Sequence, residues 1–165
     1  MLFVGINPGI RSATIGHHFA GYSNRFWKLL HESTLVPEPI ATEDDRRLPE
    51  WGFGITNLIA RATPGIDTLR PDEYAVGVAV LRRKVRRWKP ELVAFVGVSV
   101  YRAVFGKGAG KPGGKKLSVV LGLQRETFEG ARVFVLPNPS GRNANFTYAE
   151  MLGAFKALAA LNRQS

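Results

Sequence analysis

Short, almost purely apolar segments alternate along this chain with longer segments of helical periodicity, and this alternation limits the possible folds more than any other feature. The apolar segments predict strands at residues 1–6, 53–58, 92–97, 117–121 and 133–136. The periodic segments predict helices at residues 24–32, 71–88, 99–105 and 148–161. Strands without a polar face must be covered on both sides. We therefore expect an α/β fold with a mainly parallel sheet between two helical layers, a three-layer α/β/α sandwich.

Two of the predicted helices carry clear start signals. Pro71 lies in the first turn of one, followed by the acidic residues Asp72 and Glu73, as a helix N-terminus prefers. In the other, Thr147 with Glu150 three residues later predicts a capping box.

The chain has 165 residues, without an internal repeat or a domain linker, so we expect residues 1–165 to form one domain. The first apolar segment begins at residue 1, and the natural chain is therefore expected to start earlier. The glycine- and lysine-rich stretch at residues 106–116 predicts a mobile basic loop.

Basic residues outnumber acidic ones by a wide margin. The 23 Lys and Arg residues against 13 Asp and Glu give a formal charge of +10. This surplus favours nucleic acid or an anionic membrane surface as a partner, although a charge that only keeps the protein soluble is the alternative. No long apolar run or signal-peptide pattern is present, so we expect a soluble cytoplasmic protein. The absence of cysteine excludes disulfides, thiolate metal sites, iron–sulfur clusters and a cysteine nucleophile.

Several patterns that often mark functional sites fail on inspection. Residues 108–113 spell G-x-G-x-x-G, but Pro112 stands where a helix should open, so no dinucleotide site is predicted. The segment at residues 97–101 lacks the second glycine of a nucleophile elbow. His17 and His18 are adjacent, and the first 31 residues contain no carboxylate, so we predict no metal site there.

Basic residues also crowd the second half of the predicted helix at residues 71–88 and the residue that follows it. The apolar residues Val78, Leu81 and Val85 belong to the opposite face, which makes a solvated helix surface the favoured interpretation over a dedicated DNA contact. The basic residues are Arg82, Arg83, Lys84, Arg86, Arg87 and Lys89.

Two segments of unusual composition follow predicted strands. Gly5-Ile6-Asn7-Pro8-Gly9 ends the first strand, and Leu136-Pro137-Asn138-Pro139-Ser140-Gly141-Arg142 ends the last. Each alone could be an ordinary turn. In parallel sheets, however, ligands bind beyond the carboxyl ends of the strands, so both segments are expected to border one site.

Further segments extend this pattern: Gly16-His17-His18-Phe19, Asn24-Arg25-Phe26-Trp27, Gly54-Ile55-Thr56-Asn57 and Thr63-Pro64-Gly65. These segments occur in the same order along nearly the whole chain as in a known family. The sequence resembles the mismatch-specific uracil-DNA glycosylases and their thymine-DNA glycosylase relatives. The resemblance implies the uracil-DNA glycosylase fold and no cofactor. It also implies an enzyme that flips uracil out of mismatched double-stranded DNA and hydrolyses its N-glycosidic bond, leaving an abasic site.

The resemblance assigns the first segment and its neighbours to the base pocket. Asn7, held at the strand end by Pro8, would be the catalytic group, an amide that orients a water and hydrogen-bonds the flipped base. Phe19 matches an aromatic residue that stacks on the base, and backbone groups near Ile6 and Phe19 would read the pyrimidine edge. The remaining pocket positions are Gly9, Ser12, His18, Asn24 and Asn57.

Three of these positions bear on the substrate range. Ser12 matches the position beside C5 of the pyrimidine and follows the bacterial uracil-type members. His18 and Asn57 follow the thymine-type members instead. Uracil opposite guanine is the expected substrate, and the sequence leaves excision of thymine or etheno-cytosine open.

The second segment resembles the loop that pinches the DNA backbone. Arg142 occupies the wedge position, which fills the hole left by the flipped nucleotide; many bacterial members have leucine there, whereas thymine-type members have arginine. Groups near Ser140 would hold phosphates. The DNA-binding segment comprises Asn138, Pro139, Ser140, Gly141, Arg142 and Asn143.

A neutral amide can position a water but cannot effectively accept its proton, so excision should be slow. The alternatives are a broad-range uracil-DNA glycosylase of the same superfamily and a non-catalytic protein that only binds mismatched DNA. A pure binder would not need Asn7. We expect a monomer that acts on double-stranded DNA with G·U or G·T mismatches, associated with the bacterial nucleoid and not with a membrane.

Overall fold

A single mixed sheet forms the centre of the protein, seen in a computed structural model that describes residues 1–106 and 118–165. Its strands are β1 (Leu2–Gly5), β2 (Gly54–Asn57), β3 (Leu92–Val96), β4 (Gly122–Phe128) and β5 (Ala131–Leu136). They are ordered β2-β1-β3-β5-β4, and all neighbours are parallel except β4 and β5. The predicted mainly parallel sheet is confirmed.

Successive side chains of a strand point in opposite directions, so the apolar strands give the sheet two apolar faces. Helices cover both of them. Phe3 of β1 packs with α2 (Phe26–Glu32), α5 (Tyr148–Arg163) and a 3₁₀ helix (Thr42–Trp51). Val4, the next residue, packs on the other face with α3 (Pro71–Trp88) and α4 (Val98–Phe105). The three-layer α/β/α sandwich is therefore as expected. Residues 1–106 and 118–165 contain no helix long and apolar enough to cross a membrane.

The predicted helix starts agree closely with the observed ones. Helix α3 begins at Pro71 and ends at Trp88, as its proline and acidic first turn indicated. The capping box of α5 is present: the Glu150 N–H donates to Thr147 Oγ1 at 3.2 Å, and the Thr147 N–H donates to the Glu150 carboxylate at 2.8 Å. Helix α2 begins at Phe26, two residues later than predicted.

The strand predicted at residues 117–121 is wrong in its described part, residues 118–121, and the strand there is β4, which begins at Gly122. The reason is its exposure. Strand β4 is an edge strand with charged and polar residues among its exposed positions, so it lacks the continuous apolar signature of a buried strand. The predicted mobile loop at residues 106–116 lies, beyond Gly106, outside the described residues.

The basic half of α3 is partly tied down. Arg82 and Arg86 both pair with Glu129 in the β4–β5 turn, and hydrogen bonds from these two arginines lower the pKa of Glu129. Lys84 Nζ donates to Thr56 Oγ1 on β2 at 2.7 Å, and burial lowers the pKa of Lys84. These contacts fasten α3 to the sheet.

Three helical segments among the described residues were not predicted; one is a single 3₁₀ turn, Ile66–Thr68, and the other two are longer. Helix α1 (Ile10–Ile15) follows β1 directly, and its six residues are too few for a periodic signal. The 3₁₀ helix Thr42–Trp51 is polar and contains Pro49. Both segments lie beside the site described next.

Candidate active site

The carboxyl ends of the parallel strands border an open cleft of about 920 Å³, a volume in the range of pockets for small organic ligands. All nine predicted pocket residues line it. Of the predicted DNA-binding segment, Asn138, Ser140 and Arg142 line the cleft, whereas Pro139, Gly141 and Asn143 do not. The pocket residues are Ile6, Asn7, Pro8, Gly9, Ser12, His18, Phe19, Asn24 and Asn57.

The amide of Asn7 is fixed by the loop that follows β2. Its Nδ2 donates to Thr63 Oγ1 at 2.7 Å, to the Arg61 carbonyl at 3.0 Å and to the Pro8 carbonyl at 3.3 Å. Two of these partners are carbonyl oxygens, which can only accept, so the NH₂ group must point towards this loop.

The opposite end of the amide is consequently free for a ligand. Asn7 Oδ1 accepts no hydrogen bond from the described residues, which contain no buried side-chain polar atom without a partner. The oxygen is therefore accessible, and Asn7 lines the cleft. An amide oxygen in this position can accept a hydrogen bond from a water molecule.

The hydroxyl of Thr63 links this arrangement to the rest of the loop. It accepts from Asn7 and donates to the Gly65 carbonyl at 2.6 Å, while its backbone N–H donates to the Pro8 carbonyl at 3.2 Å. Arg61 then anchors the loop to α3 by donating from Nε and Nη2 to the Glu73 carboxylate at 2.6 and 2.9 Å. Hydrogen bonding from Arg61 lowers the pKa of Glu73 to about 2.

Phe19 is held as an aromatic platform in the cleft. Its ring stacks on Phe26 with centroids 4.2 Å apart and an angle of 25° between the planes. Its backbone is left-handed, with φ of +50°. Gly5 makes room for this ring, because a Cβ there would lie 3.2 Å from Phe19 Cζ and only 2.7 Å from Asn57 Oδ1.

A buried carboxylate organises the two histidines beside Phe19. Asp45 accepts from His17 Nδ1 at 3.0 Å, from His18 Nδ1 at 3.1 Å and from the His18 N–H at 3.0 Å. Burial alone would raise the pKa of Asp45, but the hydrogen bonds from both histidines outweigh it and lower that pKa. Since a carboxylate only accepts, both rings carry hydrogen on Nδ1, and Nε2 of a neutral ring is left as an acceptor.

His18 is further fixed through its carbonyl, which accepts from Trp27 Nε1 at 3.0 Å and from Thr42 Oγ1 at 2.7 Å. Asp45 and Thr42 both belong to the 3₁₀ helix Thr42–Trp51. Sequence reasoning missed Asp45, because it is 27 residues from His18 and no short motif joins them. Among the described residues, no group of three or more His, Cys, Asp or Glu is arranged to hold a metal ion.

Two predicted pocket residues also have structural contacts. Ser12 Oγ accepts the Ala20 N–H at 3.0 Å and so fastens the loop that carries Phe19 to α1. Asn24 Oδ1 accepts the Phe26 N–H at 2.9 Å at the start of α2. This bond commits the Asn24 oxygen, so its NH₂ group is the end available for a ligand.

The segment after β5 is a turn stabilised by its own polar side chains. Asn138 Oδ1 accepts the Ser140 N–H at 3.0 Å, Ser140 Oγ accepts the Arg142 N–H at 3.2 Å, and Asn143 Nδ2 donates to the Asn138 carbonyl at 2.9 Å. Asn143 and Asn138 therefore shape the turn that presents Arg142.

The same turn packs closely against the loop before α2. A Cβ at Gly141 would lie 2.5 Å from Ser23 Cβ and 2.7 Å from the Ser23 carbonyl oxygen. The Arg25 N–H donates to the Pro139 carbonyl at 2.9 Å. Pro139 and Gly141 thus hold the turn in place beside the cleft.

Charge is distributed unevenly around the cleft. Arg11 and Arg142 line it, whereas none of its lining residues is Asp or Glu. Arg142 is exposed and makes no ion pair with any residue in the described ranges. The cleft mouth is therefore suited to an anionic ligand.

These features define an α/β/α protein with a strand-end cleft, which presents a fixed amide, an aromatic platform and a cationic mouth. Comparison with known proteins makes the class specific. The sequence model of the uracil DNA glycosylase superfamily matches residues 1–159, and the chain belongs to this superfamily. It is 39% identical over 149 residues to a protein of Schizosaccharomyces pombe named G/U mismatch-specific uracil DNA glycosylase. That alignment covers 88% of this chain and 45% of the yeast protein, so the chain spans about half the length of this relative.

Proposed function

We propose that the protein is a DNA glycosylase that excises uracil opposite guanine from double-stranded DNA. The observation that carries this proposal is the fixed amide of Asn7, whose NH₂ group is committed to the loop after β2 and whose oxygen is left accessible in the cleft. Membership of the superfamily and the name of the yeast relative support the same activity.

The proposed reaction is hydrolysis at C1′ of the flipped deoxyribose. A water held by Asn7 Oδ1 adds its oxygen to C1′, the C1′–N1 bond breaks, and the base leaves with the bonding electrons. Asn7 cannot take the proton that the water loses, and no Asp or Glu lines the cleft to take it. We propose that the proton passes to solvent or to the departing base, and that the rate depends on stabilising the oxocarbenium-like sugar and the base anion.

The leaving base would be held by groups on both sides of the cleft. Phe19 offers a ring for stacking, fixed by Phe26 behind it. The NH₂ group of Asn24, whose oxygen is already committed, would donate to the pyrimidine edge. His18 and Asn57 line the cleft as well, and we propose that they permit thymine as a slower substrate.

The DNA would be held open by Arg142. Its exposed guanidinium stands on the hydrogen-bonded turn after β5, where it can enter the space vacated by the flipped nucleotide. We propose further that the protein acts as a monomer on duplexes with G·U or G·T mismatches, in the cytoplasm at the nucleoid.

A panel of labelled duplexes tests the activity directly. The purified protein is incubated with duplexes that carry G·U, G·T, A·U or etheno-cytosine opposite guanine, and alkali-labile abasic sites are measured. We expect the fastest excision from G·U. Binding to the G·U and G·T duplexes in preference to A·U, without any excision, would identify a non-catalytic mismatch binder instead. Excision from A·U as fast as from G·U would identify a broad-range enzyme.

A further inference from the structure

A second cation at the cleft mouth is held in a fixed position without a carboxylate partner. Arg11, on α1, donates from Nε to the Ala20 carbonyl at 2.8 Å and from Nη1 to the Tyr22 hydroxyl at 2.8 Å. Its guanidinium carbon also lies 3.9 Å from the centroid of the Tyr22 ring. Tyr22 itself is 90% exposed, so the pair stands at the protein surface.

These contacts do not use the full hydrogen-bonding capacity of Arg11. Its Nη2 group donates to none of the described residues, and no acidic side chain among them pairs with it. A guanidinium that is oriented in advance and left with free N–H groups is well suited to bind a phosphate, because little side-chain entropy remains to be lost.

Two different strands of the sheet lead to Arg11 and to Arg142. Arg11 follows β1, and Arg142 follows β5, with β3 between these two strands in the sheet. Both arginines line the same strand-end cleft, and neither pairs with an acidic residue among those that the structure describes. A nucleotide that enters base first keeps its phosphates at the mouth, where Arg11 stands.

We propose that Arg11, supported by Tyr22, binds a phosphate of the DNA strand that carries the flipped nucleotide. This inference rests on the proposed function, because it requires DNA in the cleft. It adds a backbone contact from α1 to the DNA-binding segment at residues 138–143. Arg11 positions the strand and takes no part in the bond-breaking step.

Salt dependence of DNA binding tests the proposal. Binding to a duplex with an abasic site opposite guanine is measured over a range of salt concentrations for the parent, Arg11→Met and Arg83→Met. Arg83 is the matched control, since it is exposed, does not line the cleft and makes no ion pair among the described residues. We expect Arg11→Met to bind about tenfold more weakly at low salt and to reduce the steepness of log K against log salt by about 0.9. Arg83→Met should leave both unchanged.

Two further variants separate a phosphate contact from a role in holding the loop. Arg11→Lys keeps the charge, so it should keep the parent salt dependence while binding more weakly than the parent. Arg11→Gln can still donate to the Ala20 carbonyl, so it repeats the charge loss with less disturbance should Arg11→Met fail to fold.

An unchanged salt dependence of binding in both Arg11→Met and Arg11→Gln overturns the inference. Failure of the proposed function looks different. In that case no duplex yields abasic sites, whereas the salt dependence of binding to the abasic duplex still responds to loss of the Arg11 charge.

Discussion

The hydroxyl of Thr63 offers a sharp test of how Asn7 is oriented, through the substitution Thr63→Val. The change replaces a hydroxyl by a methyl group of similar size at a site that is 3% exposed. It removes the acceptor of the 2.7 Å hydrogen bond from Asn7 Nδ2 and the donor of the 2.6 Å bond to the Gly65 carbonyl. The shape of the loop should be preserved.

The expected size of the effect of Thr63→Val on excision follows from the contacts that Asn7 retains. Asn7 Nδ2 keeps the Arg61 carbonyl at 3.0 Å and the longer bond to the Pro8 carbonyl, so the amide keeps its preferred orientation but is held less firmly. Loss of one such bond weakens the restraint by about 1 kcal/mol, which corresponds to about five- to tenfold slower excision. Stability should fall by about 1–3 kcal/mol, because Thr63 leaves the Gly65 carbonyl without its donor.

Single-turnover excision from a G·U duplex at saturating enzyme measures the effect, with urea denaturation as the parallel stability assay. Thr63→Ser is the matched control, since it retains the hydroxyl and should excise within about threefold of the parent rate, a difference of less than about 1 kcal/mol. Thr63→Val that excises at the parent rate would refute the idea that Thr63 orients the catalytic amide.

Three further predictions address the wedge turn and the loop anchor. Gly141→Ala brings a Cβ to 2.5 Å from Ser23 Cβ, so the free energy of unfolding, measured by urea denaturation, should fall by about 1–3 kcal/mol. Adding Ser23→Gly should recover part of that loss. A Gly141→Ala variant as stable as the parent would contradict the close approach. Arg142→Ala should weaken binding to an abasic duplex by about tenfold without lowering the melting temperature; an unchanged affinity would remove the wedge role. Glu73, with its pKa lowered to about 2 from 4.5 by Arg61, stabilises the fold above its unfolded pKa, and this contribution is lost as the pH falls from 4.5 towards 2. The melting temperature of the parent should therefore fall more steeply over that pH range than the melting temperature of Glu73→Gln. Parallel curves would show that the ion pair between Arg61 and Glu73 contributes nothing to stability.

The sequence predicted most of the buried framework, because buried parallel strands and capped helices leave local signals. Helix α3 has the predicted bounds, since Pro71 and its acidic first turn mark the beginning. Strand β4 was missed because an exposed edge strand follows no continuous apolar pattern. Helix α1 was missed because six residues are too short to show helical periodicity.

Only the pocket residues that belong to short sequence motifs were predicted. The segments around Asn7, Phe19 and Arg142 were visible as motifs, and the structure places all three at one cleft. The carboxylate of Asp45 was not visible, since only the folded chain brings the 3₁₀ helix Thr42–Trp51 to the histidines. The orientation of the Asn7 amide was equally unpredictable, because the Arg61 carbonyl that fixes it is 54 residues away.

The central claim is that Asn7 positions water for hydrolysis of the glycosidic bond. Its most direct test is single-turnover excision of uracil from a G·U duplex by the parent and by Asn7→Ala, with binding to the abasic duplex measured in parallel. We predict that Asn7→Ala leaves binding intact and abolishes excision. Equal excision rates for the two proteins would contradict the claim.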